Sequence, residues 1–166
     1  MNNIMDKVNE NMKHSEKLCE LLNNNVKGDI KYSPSASNDE IRIKQILDKR
    51  ELVYNTICLK DTIINEYSLE KIVDIIYTLL GMGYFTTSYP STKEVELYDE
   101  FIINGWNVFF DNGVIWFDDN EIYISDILSK EINKEFIKFE LDKEECDYSS
   151  VKIIKEGELF NLEYTE

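Results

Sequence analysis

Twenty residues, Trp106 to Ser125, constrain the fold more than any other part of the chain. The stretch WNVFFDNGVIWFDDNEIYIS holds two tryptophans, three phenylalanines and three aspartates. Apart from Asn107, the residues from Trp106 to Phe110 are aromatic or β-branched, which suits a pleated, half-buried surface. Asp111-Asn112-Gly113 then supplies a turn, because Asn and Gly tolerate the positive φ that tight hairpins require. Val114 to Phe117 resumes the apolar character and Asp118-Asp119-Asn120 interrupts it again. Glu121 to Ser125 gives a third strand with Ile122 and Ile124 on one face. Three short strands joined by tight turns are expected, with about half of the aromatic rings turned inward.

The chain before this stretch reads as mainly helical. Met5, Val8, Met12, Cys19, Leu22 and Val26 recur at spacings of three and four, with Ser15 in the one gap. That spacing predicts an amphipathic helix from Asn3 to Lys27, stopped by Gly28. Asp29 to Asn38, with Ser33-Pro34-Ser35-Ala36-Ser37, reads as a linker. Ile43, Ile46, Leu47, Val53, Tyr54, Ile57 and Ile64 keep helical spacing, although Leu52 to Leu59 also suits a strand; helix is preferred. Ser68 caps a helix carrying Leu69, Ile72, Val73, Ile76, Leu79 and Leu80, ended by Gly81 and Gly83, one of them left-handed. Tyr84 to Pro90 is a loop or short strand, tucked under the domain. Ser91 and Glu94 form a capping box for a further helix that Gly105 closes.

After Ser125 the pattern becomes extended. Asp126 is expected to cap a short helix with Ile127, Leu128 and Ile132. Ile137, Phe139 and Leu141 alternate with Lys138 and Glu140, and Val151 to Tyr164 reads as a hairpin turning at Glu156-Gly157. The fold class is therefore α+β: about four N-terminal helices followed by a mainly antiparallel β-sheet of roughly five or six strands. The expected organisation is an amphipathic N-terminal helix over 1–28, a loop or linker over 29–38, and a single α+β domain over 39–166.

Charge narrows the function. The chain carries −15 overall. Residues 1–92 hold 11 Lys and Arg against 13 Asp and Glu, a net of −2, whereas residues 93–166 hold 7 against 20, a net of −13. So acidic a half is unsuited to nucleic acid or an anionic membrane and favours a basic partner. The three cysteines, Cys19, Cys58 and Cys146, are widely and irregularly spaced, as in a reduced cytoplasmic protein. No secretory signal or spanning segment is read.

Catalytic chemistry finds little to work with. His14 is the single histidine and Arg42 and Arg50 are the only arginines. Gly81-Met82-Gly83 lacks the strand and third glycine of a dinucleotide loop. The cysteines have no adjacent base, and the acidic clusters lack the spacing of a calcium loop. No cofactor or metal is expected, and no enzyme.

The remaining signal is aromatic residues set among carboxylates, a mixture protein interfaces use. The candidate partner-binding residues are Asp111, Trp116, Asp118, Asp119, Glu121 and Tyr123 of the central strands, with Glu144, Glu145 and Asp147 of a charged loop. The leading expectation is an immunity-type or anti-defence inhibitor whose carboxylates stand in for phosphates at a basic protein, such as a nuclease toxin or a nucleic-acid-binding complex. Direct nucleic-acid or membrane contact is not expected. The alternative is a non-catalytic assembly subunit, a homodimer for instance, joined through the N-terminal helix. A carboxylate- or divalent-metal-dependent enzyme ranks third.

Overall fold

A computed structural model describes residues 3–26, 29–85 and 90–166. The chain divides into two compact units, Met1–Tyr89 and Pro90–Glu166. No charged residue lies between Pro90 and Thr92, so the shift in charge coincides with this boundary and the second unit carries the net of −13. The class is α+β, with four α-helices and ten strands among the described residues.

In the first unit, helix α1 (Asn3–Asn23) leads into three antiparallel strands, β1 (Ile30–Ala36), β2 (Glu40–Leu47) and β3 (Leu52–Lys60), then a single turn α2 (Ile63–Glu66) and helix α3 (Leu69–Gly81). The core gathers Leu18, Cys19 and Leu22 of α1, Ile41, Ile43 and Ile57 of the sheet, and Ile72 and Ile76 of α3. Ser68 caps α3 by accepting from the Lys71 amide, and Gly83, at φ +79°, provides its left-handed terminus.

Two expectations fail here. Residues 29–38 are not a linker: β1 pairs with β2 along its whole length, and Pro34 is tolerated because β1 takes no strand on its other side within this unit. Residues 40–60 are two strands, not a helix. Their alternation is masked by Gln45 and Asn55, both buried and directly opposed, with the Asn55 amide donating to Gln45 Oε1 at 2.7 Å. A bulge between Gln45 and Ile46 then shifts the phase of the pattern. Tyr84 also departs from expectation, since it is exposed. Lys27, Gly28 and residues 86–89 of the expected Tyr84–Pro90 segment lie outside the described residues.

Helix α1 does more than cover the sheet. Its polar side chains bond the backbone of the first hairpin: on the outer edge of β1 Asn23 bonds both backbone groups of Tyr32, and the Ser15 hydroxyl accepts from the Ser35 amide of β1 while donating to the carbonyl of Arg42, its partner on β2. The Asn11 amide reaches the Ser37 carbonyl at 3.0 Å. A strand edge left open invites pairing with another chain, and Asn23 occupies it at Tyr32. Ser15, the gap in the apolar seam, is there for its bonds to Ser35 and Arg42.

The second unit opens with α4 (Thr92–Ile103), whose N-cap Ser91 accepts from the Glu94 amide at 3.2 Å. Strands β4 (Phe109–Asp111), β5 (Val114–Phe117) and β6 (Asn120–Tyr123) form the expected meander. Both turns are two residues long, with positive φ at Asn112, Gly113 and Asp118. A 3-10 turn (Ile124–Asp126) leads to a second antiparallel sheet in the order β10-β9-β8-β7, made of β7 (Ile127–Ile132), β8 (Phe136–Leu141), β9 (Ser150–Glu156) and β10 (Leu159–Thr165). The short helix expected after Asp126 is thus a strand: β7 pairs with β8 and buries Ile127 while leaving Leu128 exposed.

Aromatic rings fill this core. Phe101 of α4 meets Phe110 edge-on at 5.4 Å and stacks with Phe139 at 6.2 Å, while Phe160 contacts both Phe117 and Trp106. Of the central rings, Trp106, Phe110 and Phe117 are buried; Phe109 and Tyr123 are exposed and Trp116 is half-buried.

Candidate partner-binding cleft

The second unit contains a cleft of about 330 Å³ where the end of the meander meets the loop between β8 and β9. Four of the nine candidate residues line it: Glu121 and Tyr123 from β6, Glu145 and Asp147 from the loop. The sequence reading did not find Asp126, Cys146, Tyr148 and Tyr164, which complete its polar and aromatic lining.

Backbone bonds hold the loop in place. The Asp142 amide donates to the Asp126 carbonyl and the Leu141 amide to the Ser149 carbonyl, each at 2.8 Å, so both ends are fastened. Between them, the amides of Glu145 and Cys146 converge on the Asp142 carbonyl, and the Cys146 thiol donates toward the Asp142 and Tyr148 carbonyls. The Ser149 amide and hydroxyl both reach the Thr165 carbonyl, which ties the loop to β10. Tyr148 and Tyr164 thereby come together, ring centroids 4.5 Å apart and planes tilted by 34°. Burial, and next the neighbouring Tyr148, raise the Tyr164 phenol above its ordinary value.

None of the carboxylates of Glu121, Asp126, Glu145 and Asp147 takes part in an ion pair among the described residues. Glu121 accepts a long bond, 3.5 Å, from the Tyr123 hydroxyl. These carboxylates do not converge: among the described residues no three His, Cys, Asp or Glu side chains are grouped to hold a metal ion. The cleft presents spread negative charge beside aromatic surface.

Compared with known protein families, curated proteins and solved structures, the chain matches none.

The other five candidates lie apart from the cleft lining. Asp111 is half-buried at the end of β4 and Trp116 half-buried in β5, opposite Phe109 and Glu121. Asp118, in the left-handed region at φ +57°, accepts from the Phe160 amide at 2.8 Å and so ties the β5–β6 turn to β10. Asp119 is exposed beside it, and the Glu144 amide closes a turn on the Asp142 carboxylate. A countable signal pointed to the tyrosines. The final hairpin turns at Gly157-Glu158, one residue later than expected, and sets Tyr164 opposite Val151, three residues from Tyr148.

Elsewhere the reactive groups are subdued. Burial pushes the Cys19 thiol up to about 11, far from thiolate character at neutral pH. His14 is half-buried, its Nε2 3.8 Å from Glu10 in a polar hollow beside Asn11 and Asp61.

Proposed function

We propose that the protein is a non-catalytic, cytoplasmic inhibitor that binds a basic protein partner, of the nuclease-toxin or nucleic-acid-binding kind, through its acidic second unit. The observation that carries this reading is the cleft, which gathers four unpaired carboxylates with three tyrosines on a unit of net charge −13. Carboxylates fixed on a sheet and a fastened loop attract a basic surface from a distance, and aromatic groups among them slow its departure. No helix among the described residues is long and apolar enough to cross a membrane. The seam of α1 is engaged with its own sheet, which weakens the alternative of assembly through that helix.

The test is capture of the tagged full chain from host lysate at low and high salt, followed by assay of the partner's activity. A stoichiometric basic protein that high salt releases, and whose activity the chain suppresses, is expected. Reversal at Glu145→Lys with Asp147→Lys should abolish capture. Binding that is indifferent to salt and to this reversal would sink the reading.

A further inference from the structure

We propose that the cleft on the second unit is the seat of one arginine side chain of the basic partner, its guanidinium laid against the paired rings of Tyr148 and Tyr164. This deepens the function proposed above and rests on it. The volume, about 330 Å³, is at the small end of ligand pockets, which span about 300 to 1,000 Å³. That suits a single side chain better than an extended ligand. The walls decide which one.

A metal ion is disfavoured, because the carboxylates stand apart and no three donors are grouped to coordinate one among the described residues. An apolar side chain would leave Glu121, Asp126, Glu145 and Asp147 facing it without counter-charge. A cation supplies that counter-charge, with the apolar part of its chain against Ile122 and Leu141, and the same spread of carboxylates separates the two that proteins offer. Lysine ends in a compact, strongly hydrated point charge that is best served by converging acceptors. Arginine ends in a planar, weakly hydrated fork whose five N–H groups can serve acceptors on several sides while its face rests on an aromatic ring. The Tyr148–Tyr164 pair, 4.5 Å between centroids, supplies that ring surface, and Tyr123 adds a third ring at the rim.

The experiment titrates the full chain with two probes of equal charge, hexa-arginine amide and hexa-lysine amide, following tyrosine ring resonances by NMR. The rings of Tyr148 and Tyr164 should shift most, and the arginine probe should bind about five-fold tighter than the lysine probe. Tyr148→Leu with Tyr164→Leu should bring that ratio to about one, whereas Tyr148→Phe with Tyr164→Phe, which keeps both ring faces, should preserve it. Equal binding of the two probes would overturn the proposal. So would shifts no larger at these two rings than at Tyr67 and Tyr84, exposed tyrosines outside the cleft. A partner captured equally well by the double leucine variant would overturn the arginine seat and leave the inhibitor reading standing. An arginine preference at the tyrosines with no basic partner captured would do the reverse.

Discussion

The carboxamide of Asn23 grips the backbone of Tyr32 from both sides: its Nδ2 donates to the Tyr32 carbonyl at 2.9 Å, and its Oδ1 accepts from the Tyr32 amide at 2.8 Å. A helix side chain here offers a strand the same donor and acceptor that a neighbouring strand would. Asn23→Ala leaves both groups of Tyr32 without these partners and should cost about 1–3 kcal/mol. Asn23→Asp, which keeps the acceptor and loses the donor, should cost nearly as much. Urea titration measures the loss, and hydrogen exchange should show the Tyr32 amide opening before the rest of the sheet.

The Cys19 thiol gives the first unit a dependence on alkaline pH. Its ordinary value is 9.0, and burial in the fold raises it to about 11. Below pH 9 the thiol is neutral in both folded and unfolded chains. Between the two values the unfolded chain releases its proton first, so stability is full below pH 9 and declines as pH rises towards 11. Cys19→Ala has no such proton to lose. The urea midpoint of the wild type should therefore fall more steeply across this window than that of the variant; parallel profiles would show that the thiol is not shielded.

Asp118 is a structural residue as well as a charged one. Its carboxylate receives the Phe160 amide at 2.8 Å while its backbone sits at φ +57°. Asparagine tolerates that φ and keeps an acceptor, so Asp118→Asn should be nearly neutral. Asp118→Gly relieves the backbone but loses the bond, and Asp118→Ala suffers on both counts, by about 1–3 kcal/mol. Thermal melts should rank the variants in that order. An equal effect of glycine and asparagine would mean that the bond contributes nothing.

The two tryptophans differ enough to be told apart by fluorescence. Trp106 is 1% exposed, with its indole N–H donating to the Asn133 carbonyl at 2.7 Å and Lys155 Nζ 4.6 Å from its ring centre. Trp116 is half-buried in a three-stranded meander. Trp116→Phe should leave emission that acrylamide barely quenches, and Trp106→Phe emission that it quenches readily. Trp106→Phe should also destabilise the second unit by about 1–3 kcal/mol, since it removes the partner of the Asn133 carbonyl.

How much of this was legible in the sequence depended on whether local chemistry or a distant partner set the structure. Asn112-Gly113, Asp118-Asp119, Ser68, Ser91 and Gly83 act within four or five residues of themselves, and their turns, caps and stops appear where local chemistry puts them. Gln45 and Asn55 act on each other across ten residues. Each puts a polar residue at an inward position of its strand, which lets two strands resemble a helix. The cleft was half legible for the same reason. Glu121, Tyr123, Glu145 and Asp147 stood out as acidic or aromatic in their own segments, whereas Tyr148 and Tyr164 acquire meaning only once a hairpin brings them together.

The order of α1 and β1 along the chain has a consequence for synthesis. Asn23 precedes the strand whose edge it occupies at Tyr32, nine residues on. On the ribosome the cover is therefore made before the edge it closes, and a short loop is enough to bring them together. A nascent β1 leaves the exit tunnel with its guard already waiting. Crowded polysomes, where identical unfinished chains lie side by side, then meet a strand whose edge is already engaged at Tyr32.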